Sequence, residues 1–405
     1  MGENQTRARF SSAQPARSGD FSYPKPDSAH ARKTPPSRGS GLRIPPRTAD
    51  PNQTSSSLKG PRRTAPPDRS KKVVSLKLLA AIVNFRTADM TLRSVEALLR
   101  ELPADLEARV VVVDNDSGDG SLEILEKAVH DAGWNDRVEV VDSGWNGGFA
   151  FGNNAAIRPA LASDSPPDLV YLLNSDAFPD PGAIQHLVDY LAEHPDCGIV
   201  GSYIHGVDGR PHTTAFRFAS IASEFEATLG IGVVSKLLAH KLVAPPLPTK
   251  NTPVDWLAGA SMMIRREVFE DAGLMDDGYF LYFEETDFCL RARRAGWPTA
   301  YVRDSSVAHV GSASTGYQDL SRPTPVYWLA SRRRYFLKNH GRLTLWLANL
   351  VYIVGGSIRR PLHWLIRRPS HEPRRHLRDF IRFNLSLGPK PTGHPPRPGS
   401  TEPGS

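Results

Sequence analysis

LKLLAAIV, residues Leu76–Val83, is an almost unbroken apolar run that ends on Asn84. A strand with one wet face alternates apolar and polar residues. A run that is apolar at nearly every step predicts a strand buried on both faces. Arg109–Val113 (RVVVV) repeats the pattern, and Val138–Val141 and Leu169–Leu173 (LVYLL) follow it. Between these runs the spacing predicts helices: Arg86–Leu99 through Met90, Val95, Leu98 and Leu99, then Ser121–Ala132, Gly148–Leu161, and one with Pro181 near its start. Strands alternating with helices predict an α/β fold, Rossmann-like, with a mostly parallel central sheet flanked by helices and right-handed crossovers.

Such sheets bind ligands beyond the carboxyl ends of their strands. The residues expected there are Asn84 after the first strand, Asp114-Asn115-Asp116 after the second and Asn174-Ser175-Asp176 after the fourth. Each cluster alone would suit a turn or a helix cap; their common position at one edge argues for a site. Gly144-Trp145-Asn146-Gly147-Gly148 lacks the G-x-G-x-x-G spacing of a dinucleotide fold, and no P-loop motif is present.

The second half is richer in chemistry. Asp255–Ile264 (DWLAGASMMI) reads as one strand with small residues at Ala258-Gly259-Ala260, where another group approaches the backbone. A short helix, Arg266–Ala272, follows. The aromatic run Tyr279–Phe283 then leads into Glu284-Glu285-Thr286-Asp287. Acidic residues suit a helix's first turn. Three carboxylates behind an aromatic wall, however, predict a partly desolvated cluster in which one is raised toward a useful base. Arg291, Arg293 and Arg294 are expected to hold them. His309, after the strand-like Thr299–Val302 and before the small loop Gly311–Ser314, would make with Asp176 a mixed nitrogen and oxygen site for Mn2+ or Mg2+.

Charge divides the 405 residues. Residues 1–72 carry 15 Lys+Arg against 5 Asp+Glu and 11 of the 35 prolines, with too little apolar material to offset chain entropy. Residues 342–405 are net +8, which leaves residues 73–341 at −11. The overall +7 belongs to the ends, which argues against a nucleic-acid-binding core and for an acidic catalytic region that uses a cation. Two cysteines, Cys197 and Cys289, give neither a disulfide framework nor a cysteine zinc site. No apolar run resembles a signal peptide, and none reaches a span; Leu343–Ile358 is 16 residues with a Gly-Gly pair.

Seven segments in order resemble the inverting glycosyltransferases of family 2, most of all their bacterial rhamnosyltransferase-like branch. They are Ile82–Phe85, Val113–Ser121, Asn146–Asn154, Leu172–Asp176, Gly259–Arg266, Tyr282–Arg291 and His309, within about residues 76–315. The resemblance implies a GT-A fold over residues 73–322. Around it lie a disordered tail at 1–72, a helical basic extension at 323–385 and a disordered tail at 386–405. It implies that Asp114 and Asn84 receive the nucleotide, within a nucleotide-sugar site that takes in Asn115, Asp116, Gly147, Gly148, Asn153, Asn174, Trp256 and Gly259. It implies further that Asp176, at the family's DxD position, holds a divalent metal, Mn2+ or Mg2+, with His309. The Glu284-Glu285 pair stands where many relatives have Glu-Asp, whose second residue is the base; which of Glu284, Glu285 and Asp287 acts here stays open.

The expected partners are therefore a nucleotide-diphosphate sugar, with dTDP-rhamnose the leading donor, and a saccharide or lipid-linked saccharide acceptor; no specific nucleic acid is expected. Trp256 and Tyr282 are candidate walls for a sugar ring. Tyr327–His340 and Leu343–Ile358, with Arg359-Arg360, Arg367-Arg368 and Arg374-Arg375, suit an anionic membrane surface or a solvated helix against the domain. A cytoplasmic protein, peripheral on the inner membrane face, is expected. The competing reading is a sugar-nucleotide-binding scaffold without catalysis, favoured if the carboxylates lie away from Asp176 and His309.

Overall fold

The structure, a computed structural model, describes residues 76–311, 323–365, 373, 375–386 and 394–395. The expected tail at 1–72, Ser312–Ser314, and Arg367, Arg368 and Arg374 lie outside them. The chain runs β1 (Lys77–Asn84), α1 (Ala88–Glu101), β2 (Glu107–Asp114), α2 (Ser121–Asp131), β3 (Val138–Asp142), α3 (Phe149–Leu161), β4 (Leu169–Asn174), β5 (Ala177–Pro179), α4 (Ala183–Glu193) and β6 (Ile199–His205). It continues through β7 (Ala215–Phe216), α5 (Ile221–Leu229), α6 (Gly232–Leu237), β8 (Thr252–Val254), β9 (Trp256–Leu257), β10 (Ser261–Arg265), α7 (Arg266–Ala272), α8 (Glu284–Arg294), β11 (Thr299–His309), α9 (Val326–Leu365) and α10 (His376–Leu385).

Nine strands form the main sheet in the order β3-β2-β1-β4-β10-β6-β11-β5, with β8 on β11. β1 to β4 are parallel, and the alternation inside their apolar runs shows why. Leu78, Ala80, Ile82, Val110 and Val112 face a core shared with α1, α2 and α4. Leu79, Ala81, Val111 and Val113 face the other, shared with α3, α7 and α8. Each strand thus fills two cores at once, which only a sheet covered on both faces allows.

Two expectations change. Asp255–Ile264 is not one strand: β9 pairs antiparallel with β7 in a separate two-stranded sheet, and β10 enters the main sheet antiparallel to β4 and β6. The break falls at Ala258-Gly259-Ala260, where Ala258 N–H donates to Thr214 and the Ala260 carbonyl accepts from Asn174 N–H. The main sheet is mostly parallel, as expected. The strand expected at Thr299–Val302 runs on to His309, with a register shift between Val302 and Ser306. The helices expected at Tyr327–His340 and Leu343–Ile358 are the two arms of α9, which meet at the non-helical Gly341 (φ 83°).

Antiparallel β10 is tied across the sheet by buried hydroxyls. Tyr171 OH meets Ser261 Oγ at 2.8 Å, Ser261 meets Ser202 at 2.7 Å, and Ser202 meets Ser305 at 2.7 Å. Cys197 and Cys289 are both free and buried, one in each core.

Candidate active site

Register brings the strand-end polar residues level. Asn84 pairs with Asp114, Asp114 with Asp142, and Val83 with Asn174. Asn84 Nδ2 donates to Asp114 Oδ1 at 2.6 Å, and Ser117 donates to both oxygens of the same carboxylate, through Oγ (2.6 Å) and its backbone N–H (3.0 Å). Thr91 Oγ1 closes the set on Asn84 Oδ1 at 2.7 Å. Asn84, Asp114, Thr91 and Ser117 are all buried. Ser117 and Thr91 had no assigned role in the sequence, although Ser117 sits inside the quoted DNDSGDGS stretch. Asp116, by contrast, is exposed and holds a left-handed backbone (φ 57°).

Asn115 is buried and bonded within the protein. Its amide donates to Asn146 Oδ1 (3.0 Å) and the Gly148 carbonyl (3.2 Å), tying β2 to the loop before α3. Gly148 has φ 88°, and a Cβ there would lie 1.8 Å from the Phe280 carbonyl oxygen, which accepts from Phe149 N–H. Only glycine permits that contact. Buried Gly147 packs as tightly on Phe151, and Asn153 Nδ2 bonds the Phe149 carbonyl at 2.9 Å. These residues seat the Tyr279–Phe283 run on α3.

At the end of β4, Asp176 and His309 meet. His309 Nε2 lies 3.0 Å from Asp176 Oδ1, Gly311 N–H donates to Asp176 Oδ2 at 3.1 Å, and Asn174 Nδ2 stands 3.3 Å from the same imidazole nitrogen. Burial pushes the Asp176 carboxyl up, but the His309 bond and charge and the backbone donors hold it below the ordinary carboxylate value. An ionised carboxylate and an imidazole nitrogen converging on one point are a donor set that fits Mn2+ or Mg2+. Among the described residues no third His, Cys, Asp or Glu completes a cage.

The three carboxylates of α8 separate. Glu285 Oε1 accepts from Gly259 N–H at 3.2 Å, and a Cβ on Gly259 would crowd the Phe149 ring at 2.9 Å and Glu285 Cγ at 3.2 Å. Buried Glu284 has an Oε2 with no hydrogen-bond partner. Burial raises both, and the Glu285 charge raises Glu284 further, well above the usual range. Asp287 belongs to another network. It accepts from Arg291 (2.8 Å), Lys338 (2.8 Å), Asn339 (2.7 Å) and Tyr279 (3.2 Å), and these bonds hold it below the usual value despite its burial. The expected three-member cluster is thus a pair, because Asp287 anchors α9. Only Arg291 of the three arginines holds a carboxylate of α8; Arg293 bonds Asp255 and Arg294 bonds Asn339.

Tyr282 and Phe283, just before the pair, are both left-handed at φ 69°, a costly conformation for aromatic residues. α9 holds it: Ser331 Oγ donates to the Leu281 carbonyl at 3.0 Å, Phe283 packs on Trp328 and Tyr335, and Tyr282 on Tyr327. Trp256 stacks on Phe216 at 4.1 Å with its indole N–H bonded to Arg217.

The sequence model of one family, described as "Glycosyltransferase like family 2", matches residues 77–335. The chain belongs to that family. The mostly parallel sheet with helices on both faces is the GT-A layout that membership implies. Among relatives of this family 2 glycosyltransferase, the N-acetylglucosaminyl-diphospho-decaprenol L-rhamnosyltransferase of Mycobacterium tuberculosis is 27% identical over 283 residues, 68% of this chain and 88% of that protein. Rhamnosyltransferase WbbL of Escherichia coli is 27% identical over 225 residues, 51% of this chain and 75% of that one. The glycosyltransferase is thus rhamnosyltransferase-like in sequence. A crystal structure of GalNAc-T7 with UDP, GalNAc and Mn2+ aligns at TM-score 0.49 and 14% identity, covering 76% of this chain and 54% of that chain.

Proposed function

We propose that this glycosyltransferase inverts the anomeric carbon of a sugar, rhamnose by its relatives, as it moves that sugar from a nucleotide diphosphate to a saccharide or polyprenyl-diphosphate-linked acceptor. The product would be a cell-surface polysaccharide precursor, made at the inner face of the cell membrane by a peripheral enzyme. The observation that carries this reading is a continuous chain of contacts. Glu285 bonds Gly259; the next residue, Ala260, bonds Asn174; and Asn174 touches His309, which bonds Asp176. A raised carboxylate and a metal-type pair then share one wall, the arrangement that the scaffold reading disfavours.

In the proposed reaction Glu285 is the base. Its carboxylate takes the proton of an acceptor hydroxyl, whose oxygen bonds the anomeric carbon as the bond to the donor phosphate oxygen breaks and its electron pair leaves with the diphosphate. Asp176 and His309 would hold a divalent metal, which when bound offsets the charge growing on that leaving group. Asn84, Asp114 and Ser117 shape the nucleotide end, with Asp116 exposed beside them. Glu284, which burial and the Glu285 charge push well above the ordinary carboxylate range, is the neighbour of Glu285 in the same turn. The M. tuberculosis relative, whose acceptor is a diphospho-decaprenol-linked sugar by its name, supports the lipid-linked acceptor.

The test is turnover by the purified chain with Mn2+ or Mg2+, screening dTDP-, UDP- and GDP-sugars against a lipid-diphosphate extract, beside Glu285→Gln and Asp176→Ala. Metal-dependent transfer from one donor, lost in both variants, is expected. Donor binding without transfer to any acceptor would favour the scaffold.

A further inference from the structure

Beyond Gly341, α9 is apolar on two opposite sides and covered on one. Leu345 and Ala348 are buried in a cluster with Tyr279, Leu290, Tyr335 and Phe336, Tyr352 stacks on Phe380 of α10, Gly355 lies against Thr228 of α5 and Gly356 against Leu377 of α10. The other side faces solvent and carries Leu343 (72% exposed), Trp346 (60%), Leu350, Val354, Ile358, Trp364 (82%) and Leu365. Their spacing keeps them on a single face over ~33 Å at ~1.5 Å per residue. A soluble helix packed on its own domain presents a polar outer face. Here the outer face is a continuous apolar stripe, the surface that marks an interaction site.

Charge identifies the occupant. Arg342 and Arg360, about five turns apart, are exposed on one flank of the stripe. Arg375, Arg378 and Arg382 are exposed on one face of α10, which packs on α9 through Tyr352 and Phe380. Residues 342–405 are net +8 against −11 for residues 73–341. The described residues of that region carry six arginines against one aspartate, so a second copy meeting the stripe face to face would bring +5 against +5. A span is also excluded, since among the described residues no helix is long and apolar enough to cross a membrane. We propose that the solvent-facing stripe of α9, from Leu343 to Leu365, lies in the interface of an anionic phospholipid bilayer as a monotopic helix. The apolar side chains enter the acyl boundary and the arginines meet the headgroups. This inference stands on surface chemistry alone and survives if the sugar-transfer reading fails.

The experiment sediments the full chain with vesicles of phosphatidylglycerol and phosphatidylcholine, and of phosphatidylcholine alone, at about 0.1 M and about 1 M salt. Its variants are the exposed triple Leu343→Ser/Trp346→Ser/Leu350→Ser and, separately, Arg378→Glu/Arg382→Glu, with unchanged circular dichroism as the folding control. The expected result is a preference for anionic vesicles that falls ~10-fold or more in the triple variant and also falls in the charge variant. Brominated lipid should quench the chain more than it quenches Trp346→Phe. Binding unchanged in the triple variant and abolished by high salt in both would assign the contact to the basic residues 1–72 and overturn the proposal. So would a wild-type dimer that ignores vesicles and that the triple substitution turns into a monomer.

Discussion

The Asn84–Asp114 end and the acidic end of the candidate site are built on opposite plans. Around Asn84 and Asp114 the buried polar atoms answer one another within the protein, through Ser117 and Thr91. Around Glu284 and Glu285, two carboxyls share one desolvated corner, and one buried oxygen has no partner. A satisfied network is a rigid frame; two desolvated like groups, one with a partnerless oxygen, are the kind of arrangement that shifts protonation toward use in chemistry. The same contrast recurs within α8, where Asp287 is fully bonded and ionised one turn away from Glu284.

The strongest way to break that comparison is Glu285→Gln. Transfer should fall by ~10²–10⁴-fold with no loss of thermal stability, because a group that burial disfavours is removed; a stable, active variant would move the base elsewhere. Glu285→Asp, the residue many relatives carry, should restore part of the rate. In the wild type the rate should rise with pH along a limb above the ordinary carboxylate range, since Glu285 must lose its proton to act and burial holds that proton on.

Next in size is Asp287→Ala, which leaves Arg291 and Lys338 facing an empty site and should cost about 2–3 kcal/mol in denaturant unfolding, discounted because Lys338 is partly solvated. Asp287→Asn sharpens the point through pH. The folded carboxyl lies below its unfolded value, so its contribution is present at neutral pH and is lost as pH falls through the ordinary carboxylate range toward the lowered one. The Asn variant should therefore unfold less steeply in acid than the wild type.

Asn84→Ala tests the frame. Losing the amide leaves Asp114 Oδ1 with Ser117 Oγ alone and Thr91 Oγ1 with the Thr87 carbonyl alone, an expected cost of about 1–2 kcal/mol by thermal unfolding, with weaker binding of donor nucleotide by calorimetry. The smallest effect belongs to Glu284→Gln, which replaces a buried acid that has no partner on one oxygen. Unfolding at pH 8 should show the variant equal to the wild type or about 1 kcal/mol more stable, and a large loss would mean that Glu284 carries a bond of its own.

The parallel half of the fold was legible because its strands are apolar at every step, and that pattern has one structural meaning. The short helix Arg266–Ala272 was legible to the residue. β6 and the antiparallel entry of β10 were not. LAGASMM reads as a continuous strand until the tertiary contacts of Gly259 with Phe149 and Glu285 are known. At the candidate site, residue types singled out the first turn of α8, but three neighbouring carboxylates cannot reveal which of them faces an ion-pair partner 51 residues further on. Lys338 and Asn339 carry no local signal that they close on Asp287.

The left-handed pair Tyr282-Phe283 has a practical consequence for building hybrid enzymes. Its clamp comes from Tyr327, Trp328, Ser331 and Tyr335, and the anchor of the following turn from Lys338 and Asn339. A chimera that exchanges the C-terminal helices at Pro325 would keep most of the recognisable motifs and release the backbone that aims Glu285. A junction placed after His340, at the Gly341 break, would carry the clamp along and leave the exchanged helix free to bring a different docking surface.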